Sequence, residues 1–226
     1  AMRRSVNMLY VLENNGVYGL TKGQFSASAD IGSTSKKGEA NEQSPIDPVL
    51  LALTLGATFV ARSFSGDKQQ LVPLVKAAIA HQGAAFIDVI SPCVAFNNHA
   101  GSTKSYDYVR EHNEAVNRLD FMPHRDAIRA MYAPGEVIEV TQHDGSLLRL
   151  RKLAEGYDPG DRLAAMAHIA AHAARGEILT GLLYVNAAAE DLHAHLKTVD
   201  VPLNQLGEKE LCPGAGMLER INAGLR

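Results

Sequence analysis

The sequence predicts an α/β fold with a largely parallel sheet. The prediction rests on short apolar runs that do not alternate, on amphipathic stretches of helical period between them, and on capping residues where those stretches begin. The strand candidates in the first hundred residues are 6–12, 58–61 and 85–90, each short and rich in β-branched or aromatic side chains. Runs without alternation suit strands covered on both faces. Between the second and third, GDKQQLVPLVKAAIAHQG puts Leu71, Leu74, Val75, Ala78 and Ile79 on one helical stripe, with Asp67 near its start, Gly83 at its stop, and Pro73 as a first-turn residue or a kink. Asp47 and Pro48 read as the cap and first position of another helix, PVLLALTLG. In such a sheet, ligands gather at the carboxyl ends of the strands.

A different texture follows. EVIEVTQHDGSLLRLRKL is two alternating runs about His143-Asp144-Gly145, a hairpin signal. DRLAAMAHIAAHAARGE reads as a helix stopping at Gly176, EILTGLLYVN as a strand and AAEDLHAHLKTV as a helix. The expected division is residues 1–100 and 101–226, with the boundary in the polar stretch NNHAGSTKS. The stretch at 26–44 is rich in Ser, Gly, Ala and charge, and is longer than an ordinary connection. It reads as a cover or a linker.

At 226 residues the chain has length for one large domain or two small ones. An apolar fraction of 46%, a charged fraction of 21% and a net charge of -3 give no basic excess, so nucleic acid is not expected as a partner. The sequence contains no run that reads as a membrane span or signal peptide, and a membrane is not expected as a partner either. Cys93 and Cys212 stand far apart and outside any Cys-x-x-Cys pair, so a reducing cytoplasm is the default expectation.

The chemistry concentrates in ENNGVYGLTKGQ, directly after the first strand. One reading is a plain turn, since Asn-Gly after an apolar run signals a hairpin. Residues 17–24 do not alternate, however, and Gly19 and Gly23 would weaken a returning strand. The other reading is a ligand loop, in which amide oxygens suit a hard cation and glycines let the backbone approach a phosphate or metal.

Asn14-Asn15-Gly16-Val17-Tyr18-Gly19-Leu20-Thr21-Lys22-Gly23-Gln24, followed by Asp88-Val89-Ile90-Ser91-Pro92-Cys93 and Phe96-Asn97, resembles the β subunit of the two-subunit 2-oxoacid:ferredoxin oxidoreductases, above all the bacterial 2-oxoglutarate enzymes. The likeness continues through HDGS, the Tyr157-Asp158-Pro159 turn and TGLLYVN. The resemblance implies a three-layer thiamine diphosphate-binding fold over residues 1–100, incomplete at its amino end, and a smaller α+β carboxyl-terminal segment over 101–226. It implies oxidative decarboxylation of 2-oxoglutarate or a related 2-oxoacid such as pyruvate, with coenzyme A taking the acyl group and electrons passing through a [4Fe-4S] cluster to ferredoxin. The partners it implies are an α subunit and ferredoxin.

By the same resemblance, Asn15 is a Mg²⁺ ligand through its side chain and Val17 through its carbonyl. Tyr18, Gly19 and Leu20 continue the thiamine diphosphate-binding segment, and Cys93 is a ligand of the cluster. The family's upstream Gly-Asp-Gly segment and its amino-terminal Cys-x-x-Cys pair are absent from this sequence, which suggests the carboxyl-terminal portion of a longer subunit. A non-catalytic interaction module is then the alternative reading.

Without the resemblance, Cys93 reads as a small buried apolar residue. Cys212 reads as structural, and His168 and His172 as an ordinary polar helix face, because no third ligand accompanies their spacing. His193 and His195 fall on different sides of their helix. Lys36-Lys37-Gly38 and Gly101-Ser102-Thr103-Lys104-Ser105 do not fit a phosphate-binding loop and read as solvated. Lys22 faces either substrate or solvent.

Overall fold

The computed structural model describes residues 1–34, 40–95, 98, 104–115, 137–141, 147–151, 157–212 and 214–225. Its strands are β1 (Met8–Asn14), β2 (Val17–Tyr18), β3 (Gln24–Phe25), β4 (Phe59–Phe64), β5 (Ala84–Ile90), β6 (Asn113–Ala115), β7 (Val137–Thr141), β8 (Leu147–Arg151) and β9 (Ile178–Val185). The helices are α1 (Pro48–Thr54), α2 (Lys68–Ala80), α3 (Tyr106–His112), α4 (Arg162–Ala173), α5 (Leu192–Leu196), α6 (Glu208–Leu211) and α7 (Ala215–Gly224).

The central sheet runs β1-β5-β4-β9-β6. β1, β5 and β4 are parallel, as are β6 and β9, whereas β9 runs antiparallel to β4. The absence of alternation in β4 and β5 has its expected cause, because every residue of both strands is buried. On one face Val60, Phe86, Leu179 and Leu183 meet Val49 and Leu53 of α1 and Ala165 and Ile169 of α4. On the other, Phe59, Ala61, Ala85 and Ile87 meet Leu74 and Ala78 of α2. The result is three layers, in which each fully buried leucine or isoleucine contributes about 1.5–3 kcal/mol. β1 lies at the sheet edge, and Tyr10 and Val11 remain exposed.

The caps form as expected. The Asp47 side chain accepts from the amides of Val49 and Leu50, with Pro48 opening α1, and Asp67 accepts from Gln70 N. Pro73 falls inside α2 rather than in its first turn, and Ile79, expected on the buried stripe, is 69% exposed. β7 and β8 pair as the expected hairpin, although the His143-Asp144-Gly145 turn lies outside the described residues. α4 ends at Ala173, and Gly176 follows in the left-handed region at φ 75° with its amide on Ala173 O.

The division expected near residue 100 separates segments that the structure joins. β9, assigned by sequence to the second part, inserts beside β4, and the contacts divide the chain at Leu192/His193 instead. The reason is physical: TGLLYV is an apolar run that needs both faces covered, and the α1/α4 and α2 layers supply that cover. The described residues of the second unit, 193–226, include most of α5, a 3-10 turn at Leu203–Gln205, α6 and α7, with Leu203, Leu211, Leu218 and Ile221 exposed. Among the described residues no helix is long and apolar enough to cross a membrane.

Candidate functional site

β1 pairs with β5 in register up to its last residue, Asn14 opposite Ile90. One bond continues the ladder beyond the strand ends: Ser91 N donates to Asn14 O at 2.9 Å. The segments carrying Asn15 and Cys93 therefore leave adjacent parallel strands at the same end of the sheet.

Asn14 is buried, and its Oδ1 accepts from Ser28 Oγ at 2.7 Å. Asn15 is half-buried, and its Oδ1 accepts from Val17 N at 3.0 Å, folding the chain into an Asx turn. Gly16, between them, has φ 71°, a left-handed conformation that a side chain would strain, and its carbonyl accepts from Ser26 N at 3.1 Å.

No hairpin forms across Asn15-Gly16, because β1 takes β5 as its neighbour. The structure departs from the sequence reading one step later: Val17 pairs with Phe25 and Tyr18 with Gln24, closing a small hairpin despite the lack of alternation. Two pairs need no long alternating run. The tip closes through its own backbone, with Lys22 N on Gly19 O and Gly23 N on Tyr18 O, both at 3.1 Å. Lys22 and Gly23 sit at φ 70° and 95°. Val17 is buried, whereas Tyr18, Gly19, Leu20 and Lys22 are exposed, Leu20 almost entirely at 99%.

At the end of β5, Pro92 is buried and Cys93 is a half-buried free thiol. Phe96 and Asn97 lie outside the described residues. α3 packs its Val109 and Tyr106 on Phe64 and Ile90 at the carboxyl ends of β4 and β5, with the Phe64 and Tyr106 rings edge-on at 5.5 Å.

Under this edge lies a charge network that sequence reading missed. Arg62 of β4 donates from Nε to Asp88 Oδ2 at 2.8 Å and from Nη2 to Asp47 Oδ1 at 2.6 Å. Burial pushes the Arg62 guanidinium toward losing its proton, but the two carboxylates outweigh it and hold the charge firmly in place. Burial likewise raises Asp47, and Arg62 together with the Leu50 and Val49 amides reverses that, leaving its carboxyl below the usual range. Asp88 Oδ1 has no hydrogen-bond partner among the described residues. A charged residue inside the apolar run FVARSF was the available signal.

In the 26–44 stretch, read from sequence as a cover or a linker, the described residues are held by polar groups. Asn41 is buried and donates from Nδ2 to the carbonyls of Ala29 and Gln43 at 2.8 and 3.0 Å, while Gly32 N donates to Asn41 O at 2.8 Å. Lys104 Nζ meets Asp30 Oδ2 at 2.9 Å, its side chain 11% exposed, so this lysine is paired rather than solvated as its sequence suggested. Lys36-Lys37-Gly38 and Gly101-Ser102-Thr103 lie outside the described residues.

His168 and His172 share a face of α4 with ring centroids 4.4 Å apart, and His172 Nδ1 meets Glu177 Oε2 at 2.6 Å. Among the described residues no cluster of three His, Cys, Asp or Glu stands ready for a metal. His193, His195 and Cys212 are exposed.

Residues 1–89 match the family model described as thiamine pyrophosphate enzyme, C-terminal TPP binding domain, a span that includes the Asn15 turn and Arg62. A 2-oxoacid:ferredoxin oxidoreductase subunit beta from Saccharolobus solfataricus is 41% identical over 129 residues, 57% of this chain and 40% of that protein. The chain is a homologue of these β subunits. The 2-oxoglutarate oxidoreductase subunit KorB of Mycobacterium tuberculosis is 39% identical over 99 residues, 43% of this chain and 26% of that protein. Among solved structures, a 2-oxoglutarate:ferredoxin oxidoreductase from Magnetococcus marinus with 2-oxoglutarate, coenzyme A and succinyl-CoA bound matches with a TM-score of 0.63 at 29% identity, covering 92% of this chain and 58% of that one. The chain thus spans less than half the length of the two curated relatives named. Its fold is the α/β thiamine diphosphate-binding fold of the β subunits.

Proposed function

We propose that this chain forms part of the β subunit of a 2-oxoacid:ferredoxin oxidoreductase that acts with an α subunit, converting 2-oxoglutarate and coenzyme A to the acyl-CoA and CO₂ and passing electrons to ferredoxin. The observation that carries this is the junction of β1 and β5, where Ser91 N on Asn14 O ties the asparagine turn to the strand end that leads into Cys93. A decarboxylation centre and an electron acceptor must lie close together, and this edge offers groups suited to each.

The donor chemistry fits Mg²⁺, which takes oxygen ligands. Asn15 would hold it through Oδ1, the atom that here accepts from the Val17 amide, and Val17 through its carbonyl. Asn14 is the weaker choice of the two asparagines, because it is buried and its oxygen already accepts from Ser28. Tyr18, Gly19 and Leu20 would line the bound thiamine diphosphate. When bound, that cofactor supplies the carbanion chemistry that releases CO₂ from a 2-oxoacid. Cys93 would supply one thiolate to a [4Fe-4S] cluster, which needs four ligands, more than the two cysteines of this sequence provide.

The test is ferredoxin reduction by the purified complex that contains this chain, with thiamine diphosphate, Mg²⁺ and coenzyme A, comparing 2-oxoglutarate with pyruvate. Faster reduction with 2-oxoglutarate supports the full reading. Faster reduction with pyruvate keeps the enzyme and replaces its substrate. Lack of coenzyme A-dependent reduction with any 2-oxoacid overturns the function.

A further inference from the structure

We propose that Ser28 is a positioning residue for the metal-binding turn, acting through Asn14. The inference rests on the metal assignment at Asn15 and adds to it a residue outside the asparagine motif.

The evidence is a directed chain of hydrogen bonds. Ser28 Oγ has a single proton, and it donates that proton to Asn14 Oδ1 at 2.7 Å. The 3.0 Å contact between Ser26 Oγ and Ser28 Oγ must then run the other way, Ser26 donating. Ser26 Oγ in turn accepts from Ser28 N at 3.3 Å, and Ser26 N donates to Gly16 O at 3.1 Å. The 26–28 segment therefore holds the asparagine turn at two places, the Asn14 amide before Asn15 and the Gly16 carbonyl after it.

The hydroxyl matters because of what it holds. Asn14 is 5% exposed and is the last residue of β1, so rotation of its amide or a shift of its backbone passes directly to Asn15. An uncompensated buried amide oxygen would also seek another donor, and the nearest route is reorganisation of the turn. Mg²⁺ demands near-octahedral geometry, so small displacements of a ligand cost more with this ion than with a larger one. Residues that orient metal ligands from behind typically cost about 10–100-fold in metal affinity when removed.

The experiment measures Mg²⁺-dependent thiamine diphosphate binding by isothermal titration in the complex containing this chain, together with its melting temperature. Ser28→Ala is expected to weaken apparent Mg²⁺ affinity about tenfold. Ser28→Thr, which keeps the hydroxyl, should restore most of it. Ser26→Ala, which removes the donor to Ser28 Oγ and the acceptor of Ser28 N but leaves the Ser28 hydroxyl on Asn14, should shift affinity in the same direction by less, and provides the measurement if Ser28→Ala fails to fold. Thr54→Ala, removing an exposed hydroxyl bonded to Leu50 O on α1, is the control and should change neither quantity appreciably.

Wild-type complex that shows no Mg²⁺-dependent binding defeats the metal assignment itself. Wild-type binding with unchanged Mg²⁺ dependence in both serine-to-alanine variants overturns the role of Ser28, and so does a lowered melting temperature with unaltered Mg²⁺ affinity.

Discussion

Arg62 Nε donates to Asp88 Oδ2 at 2.8 Å inside a sheet that leaves Asp88 only 1% exposed. The pair lies side by side on β4 and β5, in register, and Asp47 at the start of α1 holds the remaining side of the guanidinium. One arginine thus pairs with two carboxylates and fastens a helix to two strands just below the proposed site.

Removing that arginine strands both carboxylates. Arg62→Met should destabilise the protein by about 3–5 kcal/mol, the usual cost of an uncompensated buried charge. Urea denaturation measures this. A loss under about 1 kcal/mol would mean that water reaches the pair, as it does for surface ion pairs.

Gly83 precedes β5 at φ 132°, and a Cβ built there would approach Thr58 Oγ1 to 2.5 Å. Gly83→Ala combines a clash with backbone strain and should cost about 1–3 kcal/mol. Thermal melting checks it, and an unchanged midpoint would contradict the packing at the start of β5.

His81 Nε2 lies 2.8 Å from Thr58 Oγ1, and burial holds its pKa below the ordinary 6.5. The folded state therefore binds this proton less readily than the unfolded chain. Stability contributed by neutral His81 is present above about pH 6.5 and falls as the pH drops from there through the lower folded value. His81→Gln should flatten the slope of stability against pH in that window. A slope identical to wild type would assign the dependence elsewhere.

The ion pair of Lys104 with Asp30 closes the 26–34 segment on residues beyond Cys93. Lys104→Met should raise amide hydrogen exchange in the 26–34 and 40–46 segments, because it leaves Asp30 half-buried without this cation. Unchanged protection would show that the loop's other bonds, those of Asn41 among them, hold it without this pair.

Cys93→Ala should remove most of the iron from the assembled subunit, whereas Cys212→Ala, at an exposed site, should leave it intact. Iron and sulfide analysis under anaerobic conditions decides. Full iron in the Cys93 variant makes this residue a packing element.

The sequence made the central strands, α1, α2 and the hairpin of β7 and β8 legible, because each has its own periodicity or cap. The junction of asparagine turn and cysteine was legible for the same reason, since both follow strand ends. What stayed hidden depends on neighbours distant in the chain. β9 belongs beside β4 only because two helical layers cover it, and Lys104 finds Asp30 across 74 positions. The 26–44 stretch read as a cover or a linker because the packing of its described residues runs through Asn41, Ser28 and Ser33 rather than through large apolar side chains. Ser28 carries no motif, and only the fold brings it to Asn14.

The central claim, that Asn15 presents an oxygen to Mg²⁺ and through it holds thiamine diphosphate, is tested most directly by titrating the cofactor into the complex containing this chain with Asn15 replaced by leucine. The account predicts that Asn15→Leu abolishes Mg²⁺-dependent binding while the melting temperature of the cofactor-free complex changes little. Cofactor affinity equal to wild type would contradict it.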